Sequence, residues 1–202
     1  MKHKTSFIDP DTDLIEQAGQ GDERAFEQLV KKYQSMVFST ICRYTGSPDD
    51  VEDLAQDVFI KIWRNIKRFK KRSKFSTWVY RITANHCLTY RKKHQNRPVS
   101  LDELADKGST PESLTIEPDH ETTQKVAQVK QALQELPSRQ RIALVLSQFE
   151  EKTYKEIAEI MGISVSSVES LIFRARTALR KRFERKKPNT AQEIVPDESQ
   201  II

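Results

Sequence analysis

The sequence predicts an all-α protein: two small helical domains joined by a flexible acidic linker, the C-terminal one a helix-turn-helix. Three observations predict this. Apolar residues recur at three- and four-residue spacing in segment after segment. Glycine is scarce, at 5 of 202 residues, which disfavours a turn-rich β fold. Hydrophobic residues make up 37% and charged residues 31%, enough for a narrow apolar stripe per helix but lean for one large core.

The first domain is expected over residues 11–97. Residues 11–45 read as helix, with Asp13 as a candidate cap and Phe26, Leu29, Val30, Tyr33, Val37 and Ile41 on one face. "TGSPDD" breaks the pattern. A second helix, "DVEDLAQDVFIKIWRNI", begins with acids that suit a helix N-terminus and repeats Leu54, Val58, Ile62 and Ile66 as a buried seam. "KRFKKRS" is a basic loop, and Ser76 is expected to open a third helix that runs towards His94. Residues 98–120 lose the apolar period and contain Pro98, Gly108, Pro111 and Pro118, the marks of a linker. The second domain is expected over 121–187, with helices in "ETTQKVAQVKQALQEL", "PSRQRIALVLSQFE", "TYKEIAEIM" and "SVSSVESLIFRARTALRKRFERKK". Residues 188–202 are polar and expected to be a disordered tail.

Charge is unevenly distributed. Val58 to Leu101 holds 13 Lys and Arg and no acid; Asp102 to Glu121 holds seven acids against Lys107; Leu171 to Lys187 holds eight Lys and Arg against Glu184. Two basic blocks around an acidic bridge point to a polyanionic partner. Cys42 and Cys87 lack metal-ligand spacing and read as reduced, partly buried thiols. "MKHKTSFIDPDTDL" has no apolar core and is not a signal peptide, and no run approaches the ~18 apolar residues of a membrane span. A cytoplasmic protein is expected. The acids Asp49, Asp50, Glu52, Asp53 and Asp57 sit at a helix start without a paired His or nucleophile, so no catalytic residue, metal or cofactor is expected.

The clearest motif lies at about 153–173. Thr153 and Glu156 make a T-x-x-E capping box. Ile157 and Met161 face inward, Ala158 permits close approach, Gly162 takes the tight turn and Ser164 caps the next helix, whose inner face is Val168 and Leu171. That leaves Ser166, Ser167, Glu169, Ser170, Phe173 and Arg174 on an outer face that can enter a major groove, with Arg176 and the following bases towards phosphates. Upstream, a helix from Ser76 places Trp78, Arg81, Asn85, Thr89 and Lys92 on one broad stripe. A stacking ring, an amide and cations together suit an unpaired strand better than an intact duplex.

"AFEQLVKKY", "DVEDLAQDVFIKIWRNI", "FSTWVYRITANHCLTYRKK" and "LPSRQRIALVLSQFEEKTYKEIAEIMGISVSSVESLIFRARTALRKR" follow one another in the order seen in bacterial RNA polymerase sigma factors. Over roughly residues 11–187 the chain resembles their extracytoplasmic-function subfamily. The resemblance implies a dissociable initiation subunit that performs no covalent chemistry. Its partners would be core RNA polymerase, through the clamp helices of the largest subunit and the flap of the second, promoter DNA, and an anti-sigma factor. It implies core-binding roles for Leu54, Gln56, Asp57, Phe59, Ile60 and Trp63, although Leu54 also belongs to the buried seam. It implies −10 contacts by Lys70, Lys74, Ser76, Thr77, Trp78, Arg81, Asn85, Arg91, Lys92 and Lys93, with a flipped base in a pocket of the 69–77 loop and Asn85. It implies −35 contacts by Ser166, Ser167, Glu169, Ser170, Phe173, Arg174 and Arg176. Glu169 departs from relatives that often carry Arg there; it can accept from cytosine N4 but repels phosphate. The alternative is a helix-turn-helix repressor or activator that binds duplex DNA without polymerase.

Overall fold

A computed structural model describes the backbone of residues 9–95 and 120–185, and the side chains of 9–91 and 124–185. Nearly all of the expected linker, and the tail, lie outside the described residues. Among those residues the structure has eight α-helices and one 3₁₀ turn: α1 (Thr12–Gln20), α2 (Glu23–Thr45), α3 (Val51–Asn65), the turn Ile66–Arg68, α4 (Phe75–Gln95), α5 (His120–Glu135), α6 (Ser138–Gln148), α7 (Tyr154–Met161) and α8 (Val165–Arg185).

The first bundle is α1 to α4. The expected helix over 11–45 is two helices, because the chain turns at Gly21 and Asp22 restarts it by accepting from the backbone N–H of Arg24 (2.9 Å) and Ala25 (3.1 Å). Asp13 lies within the first turn of α1 and does not cap it. Leu29, Tyr33, Val37 and Ile41 are buried on α2 as their spacing predicts, and they meet the Leu54, Val58, Ile62 and Ile66 seam. The third helix starts one residue before Ser76. Its first N–H, that of Phe75, donates to Asp9 Oδ2 at 2.6 Å, so a carboxylate 66 residues upstream supplies the cap. Asp11, also buried, accepts from Tyr33 Oη and Lys32 Nζ and pins α1 to α2. That carboxylate and burial raise the Tyr33 phenol well above its ordinary range, burial being the larger cause.

The second bundle is α5 to α8. Ile142, Val145, Leu146, Ile157, Ile160, Val168, Ile172 and Ala175 form its interior. On α8 the buried register is Val168, Ile172 and Ala175; Leu171 is only half-buried, one position off the predicted inner face. Met161 is likewise half-buried.

The two bundles pack against each other, α2 and α4 of the first meeting α5, α6 and α7 of the second. Gly46 lies against Gln134 on this seam. At φ 73° it adopts the left-handed conformation, and a Cβ there would sit 2.4 Å from Gln134 Nε2. Gln134 instead donates to the Tyr44 carbonyl at 3.1 Å. Arg141, 2% exposed, donates to the Tyr44 carbonyl (3.0 Å), to the Leu136 carbonyl (3.3 Å) and to the carbonyl and side-chain oxygens of Gln134. One buried guanidinium thus answers the unpaired carbonyls at the ends of α2 and α5. Across the same seam Glu150 accepts from Arg43 Nη1 (2.7 Å), Tyr80 Oη (2.9 Å) and Ser39 Oγ (3.2 Å).

Candidate nucleic-acid and polymerase interface

Three surfaces carry the residues singled out by sequence. The first is the outer side of α3. Gln56 and Asp57 are exposed, Ile60 is 39% exposed, and Phe59 and Trp63 are half-buried, Trp63 stacking on Phe26 with ring centroids 4.7 Å apart. Leu54 is 6% exposed and belongs to the core seam, so its side chain is not on this face.

The second lies between α3 and α4. Lys61 and Asn65 of α3, Arg68 of the 3₁₀ turn, and Trp78, Ile82, Asn85, His86 and Thr89 of α4 surround an open cavity of about 360 Å³. It combines a ring for stacking, two amides for base edges and two cations for phosphate. The resemblance implied a pocket built from the 69–77 loop and Asn85. Here Trp78 and Asn85 do line a cavity, but its opposite wall is α3 and the 3₁₀ turn. Lys61, Asn65 and Arg68 were missed; Lys61 and Asn65 stand four apart, the spacing of a shared helix face. Asn65 Nδ2 donates to the Lys61 carbonyl at 2.8 Å, which commits one of its two N–H donors and leaves the other, with Oδ1 as an acceptor.

The α4 stripe does not act as one face. Trp78 packs on Phe69 (5.3 Å between centroids) and Phe75 (5.5 Å), part core and part cavity wall. Thr77 is 7% exposed and points inside, so it is not on the expected strand-contacting surface. Arg81 turns the other way and donates to the Glu159 carbonyl on α7 at 2.8 Å. Arg91 donates to the Leu136 and Gln134 carbonyls, both at 3.1 Å. Lys70 and Lys74 lie exposed on the connection before α4 and Ser76 is half-buried; Lys92 and Lys93 fall outside the described side chains.

The third surface is the helix-turn-helix. The capping box forms: Thr153 Oγ1 accepts from Glu156 N–H (3.3 Å) and Glu156 Oε2 accepts from Thr153 N–H (2.9 Å). The Thr153 N–H first and the Thr153 hydroxyl second, the latter donating to Glu156 Oε2 at 2.8 Å, hold the Glu156 carboxyl below its usual range. Gly162 takes the turn at φ 65°, and Ser164 Oγ accepts from Ser167 N–H at 3.2 Å. Ser166, Ser167, Glu169, Ser170, Phe173, Arg174 and Arg176 are all exposed, Phe173 to 71%.

Comparison with known proteins agrees with this geometry. The family model for sigma-70 region 2 matches residues 29–97 and that for sigma-70 region 4 matches residues 127–179. The RNA polymerase sigma-H factor of Pseudomonas aeruginosa is 36% identical over 178 residues, which span 85% of this chain and 92% of the relative. The ECF RNA polymerase sigma-E factor of Escherichia coli K12 is 36% identical over 179 residues, 82% of this chain and 90% of the relative. Among solved structures, that of CnrH in complex with the cytosolic domain of CnrY superposes with a TM-score of 0.64 at 27% identity, covering 88% of this chain and 99% of that one. Sigma factor RpoE of Bartonella quintana, solved with the anti-sigma factor NepR, has the same fold, with a TM-score of 0.59 at 23% identity over 80% and 98% of the two chains. Two region models in order, and full-length relatives above 30% identity, show that the chain belongs to the extracytoplasmic-function sigma factors of bacterial RNA polymerase.

Proposed function

We propose that this sigma factor docks on core polymerase through the exposed side of α3, receives an unpaired base of the −10 strand in the α3–α4 cavity, and reads the −35 duplex with α8. The observation that carries this reading is the cavity itself: Trp78, Asn65, Asn85, Lys61 and Arg68 surround one opening beside the α3 face. An indole for stacking, amides for an exposed base edge and cations for phosphate are what a single strand requires and a closed duplex does not offer. The protein performs no covalent chemistry in this scheme and works in the cytoplasm beside polymerase.

The packed arrangement belongs, on this reading, to the free protein. The −10 and −35 elements lie about 25 base pairs apart, roughly 85 Å of duplex axis. In the packed form α7 touches α4 through Arg81 and Glu159, so the two readers cannot lie that far apart until the bundles part. CnrH was solved with the cytosolic domain of CnrY, and a partner that binds both bundles here would favour the packed form.

The test is run-off transcription by bacterial core polymerase on a genomic fragment library, with and without the protein. Discrete new starts sharing a two-part upstream motif are expected. Tight duplex binding by the protein alone, with no polymerase-dependent start, would overturn the reading.

A further inference from the structure

The α3–α4 cavity has a neighbour. A second concavity, lined by Asp50, Asp53, Leu54, Asp57 and Tyr90, shares Lys61, His86 and Thr89 with the first. The polymerase-facing acids and the strand-facing cavity therefore meet at one partition, and His86 stands in it, 9% exposed.

His86 has a charged neighbour at each ring nitrogen. Its Nδ1 contacts Lys61 Nζ. An ammonium group only donates, so Nδ1 accepts and the ring proton resides on Nε2. Nε2 faces Asp57 Oδ2 at 3.4 Å, an electrostatic contact rather than a hydrogen bond. Asp57 and Lys61 are one turn apart on α3 and could pair directly; the imidazole stands between them instead. A lysine has a long flexible stem and loses much freedom when it grips a phosphate. Holding the ammonium at the cavity beforehand removes part of that loss from the binding step.

We propose that His86 is a positioning residue that links the polymerase-facing Asp57 to Lys61 and aims the Lys61 ammonium at a phosphate of the unpaired −10 strand. The proposal rests on the sigma reading above. It assigns His86 no contact with DNA. His86 acts through Lys61, which implies that its effect vanishes when Lys61 is gone.

The test is a double-mutant cycle in the full-length protein, with bacterial core polymerase and a promoter recovered from the run-off library. The readouts are the rate of strand opening, followed by permanganate reactivity, and core affinity. Lys61→Met is expected to slow opening about 10-fold and His86→Leu about 5-fold, while the double variant is no slower than Lys61→Met alone. His86→Asn, whose amide oxygen replaces the Nδ1 acceptor, is expected to recover opening to within about 2-fold of wild type. Core affinity is expected to stay within about 2-fold throughout. A multiplicative double variant, about 50-fold slower, or an Asn variant as slow as the Leu variant, would overturn the proposal. His86→Met, which fills similar volume without a nitrogen acceptor, repeats the cycle if the Leu variant loses its helical circular dichroism. A wild-type protein that directs no start would sink the sigma reading and this proposal together; wild-type starts with a multiplicative cycle would sink this proposal alone.

Discussion

Replacing Glu150 by alanine is expected to loosen the contact between the two bundles without unfolding either. The Glu150 side chain is 7% exposed and receives three hydrogen bonds, all from the first bundle. Two of them set the magnitude. The Arg43 pair is short but 39% exposed on the arginine side, so water takes over part of that guanidinium when the carboxylate is lost. The Tyr80 hydroxyl is buried beside the carboxylate, and burial first and Glu150 second raise its phenol well above the ordinary range. Truncation strands that hydroxyl. Allowing about 1 kcal/mol for the screened ion pair and about 2 kcal/mol for the stranded donor gives about 3 kcal/mol. That is roughly a 100-fold shift from packed towards parted bundles. Residues 39, 43 and 80 lie on α2 and α4, whose own core does not involve Glu150, so each bundle keeps its fold. The assay is single-molecule energy transfer between dyes at Lys31→Cys and Lys181→Cys, both exposed, in a Cys42→Ser background. Cys87 can stay, because burial pushes its thiol up to about 12 and keeps it unreactive towards the dye. A low-transfer population should grow in Glu150→Ala. An unchanged distribution would refute the hub role of Glu150.

Three further outcomes are expected. Thr153→Ala should cost about 1 kcal/mol of stability by chemical denaturation, the worth of one N-cap. It should also soften the acid limb: a carboxyl held below its unfolded value of 4.5 stabilises the fold above that pH and ceases to as pH falls through its lowered folded value, so losing the Thr153 hydroxyl reduces that slope, while the Thr153 backbone N–H, the larger cause, remains. Asn85→Ala and Trp78→Ala should slow promoter opening while leaving core affinity within about 2-fold; equal loss of core binding would mean that these side chains support the fold rather than the strand. Arg174→Ala should weaken −35 binding, reduce the log-log salt slope by about one, and leave initiation on premelted templates near wild type.

How much was legible in sequence depended on the range of the interaction. The helix-turn-helix could be read residue by residue because Thr153, Glu156, Gly162 and Ser164 each act on backbone within three or four positions. The α2 and α3 stripes were legible because burial there follows the helical period. Ser76 was mistaken for a helix start because the true cap of α4 is Asp9, and no local pattern ties residue 9 to residue 75. Leu171 was taken for the buried position because an apolar pair, Leu171 and Ile172, leaves the register open by one; tertiary packing chose Ile172. Arg141 and Glu150 carry no local sequence signal of their role. Both are anchors of the inter-bundle seam, and a buried charge is recognisable only from partners that lie distant in sequence.

The same guanidiniums explain how a packed form can be stable and still yield to DNA. Arg81 and Arg91 lie on the basic helix α4, yet here they donate to neutral backbone carbonyls of the second bundle. The Arg81 bond answers a helix-end acceptor on α7, and the Arg91 bonds add a second donor to the two carbonyls that Arg141 already reaches, so the packed form gains from them. A phosphate is a stronger acceptor for a guanidinium than a carbonyl is, through charge and bidentate geometry, and its neutralisation releases counterions as well. On the proposed reading the promoter strand and the second bundle compete for the same arginines, and the strand offers the better acceptor. Opening then needs no dedicated switch at Arg81 or Arg91. It needs polymerase to bring the strand within reach, after which the Glu159 carbonyl returns to solvent, the Gln134 and Leu136 carbonyls keep Arg141, and the bundles part.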